Sequence, residues 1–278
     1  MNVRVLERKN DSMKVLLEKA EPSFANALRR VLIADVPKMA IEDVEFHLGP
    51  IRGDDGKEYE SVAPLFDEII AHRLGLVPIP TDLTLYNVRA TCPTCHGEGC
   101  PSCTIIYSIN KRGPGLVTSG DLEPIGDAKL RPTDANIPIV KLGDGQAMLV
   151  YATAVLGSGK DHAKWQPTHG VGYEFVPILK AGAKTVDTLD PTVPFCRSHM
   201  TTTSFDEISL ELDPDCKTCT AFMSAYKVDT VKAGNDPSRV LLQFETDGSI
   251  GAKQVFATGL DILAKRFAEL SEQVEALG

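Results

Sequence analysis

Residues 92–103 read CPTCHGEGCPSC and place four of the chain's seven cysteines, Cys92, Cys95, Cys100 and Cys103, within twelve positions. No other stretch restricts the fold so strongly. Two CxxC turns present two thiolates each on adjacent backbone knuckles, which is how a tetrahedral zinc ion is held. Only HGEG separates the pairs, and Gly97 and Gly99 allow the chain to double back so that both pairs face one ion. Four thiolates close the coordination shell and leave no position for a reacting water, so such a site is structural. The expected occupant is one zinc, with His96 as a spare or alternate ligand. Two other readings stay open from the residues: a thioredoxin-like redox pair at CPTC, and an iron–sulfur centre. A redox CxxC is expected at a helix N-terminus, whereas here glycines and a second pair follow at once.

The compartment bears on this choice. The N-terminus, MNVRVLERKND, is charged where a signal peptide needs an apolar core, and the chain has no run of eighteen or more apolar residues. A cytoplasmic, non-membrane protein is expected, and in a reducing compartment paired cysteines point to metal or redox chemistry rather than disulfides. Cys196, Cys216 and Cys219 are one ligand short of a metal set that His199 or Asp215 would have to complete; the plain alternative is buried thiols. CPTCHGEG also resembles one CxxCxGxG repeat of the J-domain chaperones, which carry several such modules where this chain has one.

Composition narrows the function classes. With 43% hydrophobic and 24% charged residues in 278, the chain is an ordinary globular protein, and its net charge of −9 argues against a dominant phosphate-binding surface. Nucleic acid would be reached through partners. The chain lacks GxxxxGK[ST], GxGxxG after a strand, HExxH and GxSxG, so it does not read as an enzyme by itself. Asp54, Asp55 and Asp144 fall in glycine-rich turns and read as solvated.

Along the chain, VRVLER and MKVLLEKA read as two strands joined by the polar turn Lys9–Ser12. Pro22 and Ser23 open a helix with Phe24, Leu28, Val31 and Leu32 at helical spacing and Arg29–Arg30 on its edge. A second helix is expected through PLFDEIIAHRLGL, with Leu65, Phe66, Ile69 and Ile70 on its apolar side. Residues 104–178 read as a meandering sheet, and Trp165 as a core residue. Near the C-terminus Phe256, Leu260, Leu263, Phe267, Leu270 and Val274 are spaced 4, 3, 4, 3, 4, a narrow heptad-like seam on one helix.

Four separated motifs, NALRRVLIADVPKMAIEDVEF, HRLGLVPI, DHAKWQPTHGVGYEF and GSIGAKQVFATGLDILAKRFAEL, together resemble the α-like subunit of cellular RNA polymerases. The resemblance is strongest to the D-type subunit of the archaeal polymerases and its eukaryotic third-largest-subunit relative, and it covers nearly the whole chain. It implies an α+β fold in which residues 1–45 and 238–278 form a split dimerisation domain. Residues 46–178 would be an inserted β-rich domain carrying the metal loop, and 179–237 a small ferredoxin-like third domain. It implies a noncatalytic assembly platform of the nucleotidyltransferase complex that pairs with the small α-like subunit L. It also implies contact with the second-largest subunit and the small subunits N and P, and no sequence-specific DNA binding of its own. The seam Phe256–Val274, with Phe24, Leu28 and Leu32, would line the dimer interface, and Arg29 and Arg30 would face a large subunit. Cys196, Cys216 and Cys219 map onto the family's cluster ligands, but the last position holds Phe222. That departure implies a degenerate domain without iron, or a three-iron cluster. A stand-alone zinc or iron–sulfur redox protein, or a chaperone-like one, is the competing reading.

Overall fold

The computed structural model describes residues 1–53, 56–182, 200–204, 207–211, 216–219, 221 and 232–277. The chain begins with β1 (Asn2–Arg8), β2 (Ser12–Glu18), α1 (Pro22–Ala34), β3 (Lys38–Phe46), β4 (Pro50–Arg52), β5 (Glu58–Glu60) and α2 (Asp67–Gly75). After the cysteine loop come β6 (Thr104–Arg112), β7 (Gly115–Thr118), β8 (Glu123–Pro124), β9 (Pro138–Leu142) and β10 (Ala147–Gly157). The remaining elements are β11 (Thr168–Gly182), β12 (Met200–Ser204), β13 (Glu207–Glu211), β14 (Lys232–Thr246) and α3 (Ala252–Glu275). It is a mixed α/β protein dominated by strands, as the sequence patterns require. Among the described residues no helix is long and apolar enough to cross a membrane.

These residues gather into two compact units, Met1–Arg29 with Gly170–Phe244, and Arg30–His169 with Glu245–Gly278. The first unit is built on a six-stranded sheet ordered β1-β2-β14-β11-β13-β12. β1 and β2 are antiparallel, with Val3 opposite Leu17 and Val5 opposite Val15. The expected polar turn closes through the Lys9 N–H, which donates to the Ser12 carbonyl at 2.9 Å. Val15, Leu16 and Leu17 on β2, and Val240, Leu242 and Phe244 on β14, are fully buried.

The second unit is built on a sheet ordered β3-β10-β6-β8, with β10 antiparallel to both neighbours. One face carries a continuous core that includes Met39, Ile41, Ile105, Tyr107, Ile109 and Val150. Ile70 and Leu74 of α2 belong to that core, four residues apart and therefore on one side of the helix. This corrects the expectation for α2. The helix starts only at Asp67, with Phe66 an extended N-cap residue, so Phe66 (78% exposed) and Ile69 fall outside the buried side. Trp165 packs with Ala40 and Val155, its indole N–H donating to the Val155 carbonyl at 3.1 Å, in the core role expected of it.

The same unit fixes where α3 begins and how far it is held. Lys38, at the start of β3, is buried and pairs with Asp247, whose other carboxylate oxygen accepts from the Ser249 N–H at 3.0 Å. The Ser249 carbonyl in turn accepts from the Thr81 N–H at 2.9 Å. This turn leads into α3 at Ala252. Ala252, Val255, Phe256, Gly259 and Leu263 are buried, and Arg266 makes a two-pronged pair with Asp35 at 2.7 and 2.8 Å. From Ala264 to Leu277 every residue is exposed.

Candidate metal centre

The loop between α2 and β6 is organised by short-range backbone bonds rather than by a core. The His96 N–H donates to the Cys92 carbonyl at 3.0 Å, and the Cys103 and Thr104 N–H groups both donate to the Cys100 carbonyl at 2.9 Å. Each CxxC thus closes its own turn. His96 (φ 49°) and Gly97 (φ 103°) then take left-handed backbone conformations, and Gly99 (φ 104°) does so again before the second pair. Glycine adopts those angles without the Cβ penalty, so HGEG reverses the chain as its composition predicts.

The reversal brings the four cysteine sulfurs within 4.8 Å of one another. Cys92 and Cys100 Sγ are 3.7 Å apart, Cys95 and Cys103 3.5 Å, and Cys100 and Cys103 3.8 Å. Four sulfurs at about 2.3 Å from one zinc ion would stand about 3.8 Å apart along the edges of a tetrahedron. The spacing therefore fits a single ion, and the four cysteines are a group able to hold one. Cys92 and Cys103 are buried, while Cys95 and Cys100 are half-buried on the rim. Cys100 also lines an open cavity of about 390 Å³ walled by Tyr86, Pro101, Ile105, Ile106 and Leu130.

Loop electrostatics favour thiolates on one side of the site. Backbone N–H groups of Thr94 and Cys95 aimed at Cys92 lower its thiol to about 6. For Cys95 burial pushes upward, but the Gly99 and Gly97 N–H groups together outweigh it and the thiol is lowered. Burial pushes Cys103 up to about 12, so this sulfur needs a cation beside it to ionise at neutral pH.

Sequence reasoning missed Arg89. It sits at the start of the short helical turn Arg89–Thr91, just before Cys92. Its Nε donates to the Gly97 carbonyl at 3.1 Å, Nη2 to the Glu98 carbonyl at 3.2 Å, and Nη1 to Asp43 Oδ2 at 3.3 Å. A lone arginine upstream of a CxxC carries no spacing rule, so nothing in the sequence marks it.

Cys216 is half-buried and Cys219 buried. Cys196, His199, Asp215 and Phe222 lie outside the described residues, as do Asp54 and Asp55, while Asp144 is exposed. On α1, Leu28 and Leu32 are fully buried within the chain, Phe24 is half-buried, and Arg30 is exposed. Arg29 is half-buried and donates through Nε and Nη2 to Asn26 Oδ1 at 3.2 and 3.0 Å. On α3, Phe256 and Leu263 are buried and Leu260 half-buried, whereas Phe267, Leu270 and Val274 are 56, 56 and 60% exposed.

The sequence is similar to known proteins of one family. The family model described as the RNA polymerase Rpb3/RpoA insert domain matches residues 51–178, the stretch that contains the cysteine loop. DNA-directed RNA polymerase subunit Rpo3 of Thermoplasma volcanium is 42% identical over 274 residues, spanning 99% of this chain and 99% of that protein. The subunit of the same name from Picrophilus torridus is 42% identical over 270 residues, covering 97% of this chain and 98% of its own. That of Methanosarcina mazei is 32% identical over 274 residues, 97% of each. Aligned end to end with such proteins, the chain belongs to the archaeal, α-like Rpo3 family of DNA-directed RNA polymerase subunits.

Proposed function

We propose that this protein is a noncatalytic assembly platform of DNA-dependent RNA polymerase that pairs with a small α-like subunit, the counterpart of subunit L. The observation that carries the proposal is the exposed half of α3. The apolar seam, buried at Phe256 and Leu263, continues through Phe267, Leu270 and Val274 with the same spacing, and among the described residues these three stay more than half exposed. An apolar stripe of this kind on a helix is suited to a second helix. Leu28 and Leu32 are occupied inside the protomer, so the interface centres on distal α3. The dimerisation region, residues 1–45 with 238–278, is a functional grouping that draws on both compact units. Residues 46–178 form the insert and 179–237 a small third domain, and Arg29 and Arg30 face the second-largest subunit. The small subunits N and P join the same assembly, which works in the cytoplasm.

The ion is one structural zinc held by Cys92, Cys95, Cys100 and Cys103. Single-ion spacing of the sulfurs supports this over a multi-iron cluster, in which the thiolates are divided among two or more irons and must stand further apart across the cluster. Cys196, Cys216 and Cys219 with Phe222 are read as a degenerate cluster domain without iron, and a three-iron cluster is the alternative.

Coexpression with the small α-like subunit tests the platform. A stable one-to-one heterodimer is the expected result; a well-behaved monomer that reduces insulin disulfides would replace this reading with a stand-alone redox or chaperone role. Elemental mass spectrometry on anaerobically purified protein separates the metals. About one zinc and no iron is expected, whereas about three irons with visible absorbance would assign a cluster to the third domain.

A further inference from the structure

We infer that Arg89 is the positioning residue of the metal loop, fixing the peptide group that donates to Cys95 and tying the loop to β3. The inference rests on the zinc reading of the four-cysteine site. The Glu98 carbonyl and the Gly99 N–H belong to one peptide group. Arg89 Nη2 donates to that carbonyl at 3.2 Å, and the Gly99 N–H donates to Cys95 Sγ at 3.2 Å. A cation held at the oxygen end of a peptide polarises it and strengthens its N–H as a donor. The same contact stops the peptide from rotating its N–H away from the sulfur. Through Nε, Arg89 also holds the preceding carbonyl, Gly97, at 3.1 Å. The guanidinium thus restrains two consecutive peptides of the reversal between the CxxC pairs.

Two further observations point the same way. A Cβ on Gly99 would stand 3.6 Å from Arg89 Nε and 3.7 Å from Cζ, so the guanidinium lies along the side that glycine leaves bare. The remaining donor, Nη1, reaches Asp43 Oδ2 at 3.3 Å. Asp43 belongs to β3 and stands opposite Thr153 of β10, within the sheet that carries the core. Arg89 and Asp43 are 38 and 58% exposed, so their ion pair adds little to folding, and its consequence falls on the loop. The planar fork is necessary because three donors on one rigid group address three separate acceptors, which a lysine ammonium on a flexible stem cannot reproduce.

The test is zinc content and the rate of zinc transfer to a chromogenic chelator, measured on the full chain as wild type, R89A, R89K and D43N, with a thermal melt of each. We expect zinc in all four. Release should be about 10- to 100-fold faster from R89A, the range typical of a lost outer-shell partner. R89K should fall closer to R89A than to wild type, and D43N should show a smaller acceleration, all with melting temperatures close to wild type. Equal release rates from wild type and R89A, with zinc present in both, overturn the role of Arg89 alone. Release rates that merely track falling melting temperatures overturn it in favour of general loosening. A wild-type chain that binds no zinc overturns the site reading and this inference with it. Should R89A fail to fold, R89K and D43N carry the same comparison.

Discussion

Replacing Phe267, Leu270 and Val274 together by alanine removes the apolar stripe of distal α3 without touching the part of the helix that this chain covers. Fully burying an aliphatic or aromatic side chain contributes about 1.5–3 kcal/mol. Phe267, Leu270 and Val274 are already 44, 44 and 40% covered in the protomer, since 56, 56 and 60% remains exposed. A partner helix can therefore gain about half the full amount from each, roughly 1–1.5 kcal/mol. The triple variant should lose about 3–4 kcal/mol of pairing, which weakens the heterodimer by two to three orders of magnitude at about 1.4 kcal/mol per tenfold. Protomer stability should barely move, because these are surface positions on a helix and alanine is a good helix former. Leu263→Ala is the contrast. That side chain is 6% exposed, so its truncation opens a cavity and should cost about 2–5 kcal/mol of folding. Isothermal titration with the small α-like subunit and a thermal melt of each protomer separate the two outcomes. Undiminished affinity in the triple variant would refute the assignment of distal α3 to the interface. A melting temperature lowered as far as that of Leu263→Ala would show that the stripe belongs to the chain's own core.

Three further perturbations address the rest of the molecule. Cys92→Ser with Cys95→Ser should abolish zinc and raise hydrogen exchange within residues 46–178 while leaving the heterodimer intact, and unchanged metal content would sink the site. Gly157→Ala places a Cβ 2.3 Å from Trp165 Cε2, and an overpacked core of this kind costs about 1–3 kcal/mol. Trp165 is the sole tryptophan, so its fluorescence should report an earlier denaturant midpoint, and an unmoved midpoint would show that the strand yields freely. Lys38→Met strands Asp247 beside a methyl group. Breaking a buried pair costs about 3–5 kcal/mol, and because Asp247 keeps its bond from Ser249 the loss should sit near the bottom of that range. Adding Asp247→Asn, which removes the stranded charge and keeps an oxygen to accept from Ser249, should recover much of the loss, and a double variant no more stable than Lys38→Met would refute the pairing argument.

What the sequence made legible follows from the range over which each feature is determined. The β1–β2 hairpin, α1 and α3 announce themselves because a period of 2 or 3.6 is written into neighbouring residues. The cysteine site is legible for the same reason: its ligands, its reversing glycines and its turn-closing bonds all lie within residues 92–104. α2 is the instructive failure. Leu65, Phe66, Ile69 and Ile70 look like one apolar side only if all four are helical, and Phe66 is an extended cap. The register of the helix is then set by Ile70 and Leu74, which a core assembled from β3, β6, β9 and β10 selects. Arg89 is illegible because one of its partners, Asp43, lies 46 positions away and the others are backbone carbonyls, which no residue identity encodes. The α3 seam combines both conditions. Its spacing is local and runs unbroken from Phe256 to Val274, so a sequence shows a single stripe. Its burial is not local, for it depends on how far the described residues of the rest of the chain cover the helix, to Leu263, with Arg266 anchored to Asp35 beyond it. Desolvating the three further apolar positions is favourable only if something covers them, and among the described residues they stay more than half exposed. The mismatch between a continuous seam and an interrupted core is therefore the physical ground for placing a second subunit on distal α3.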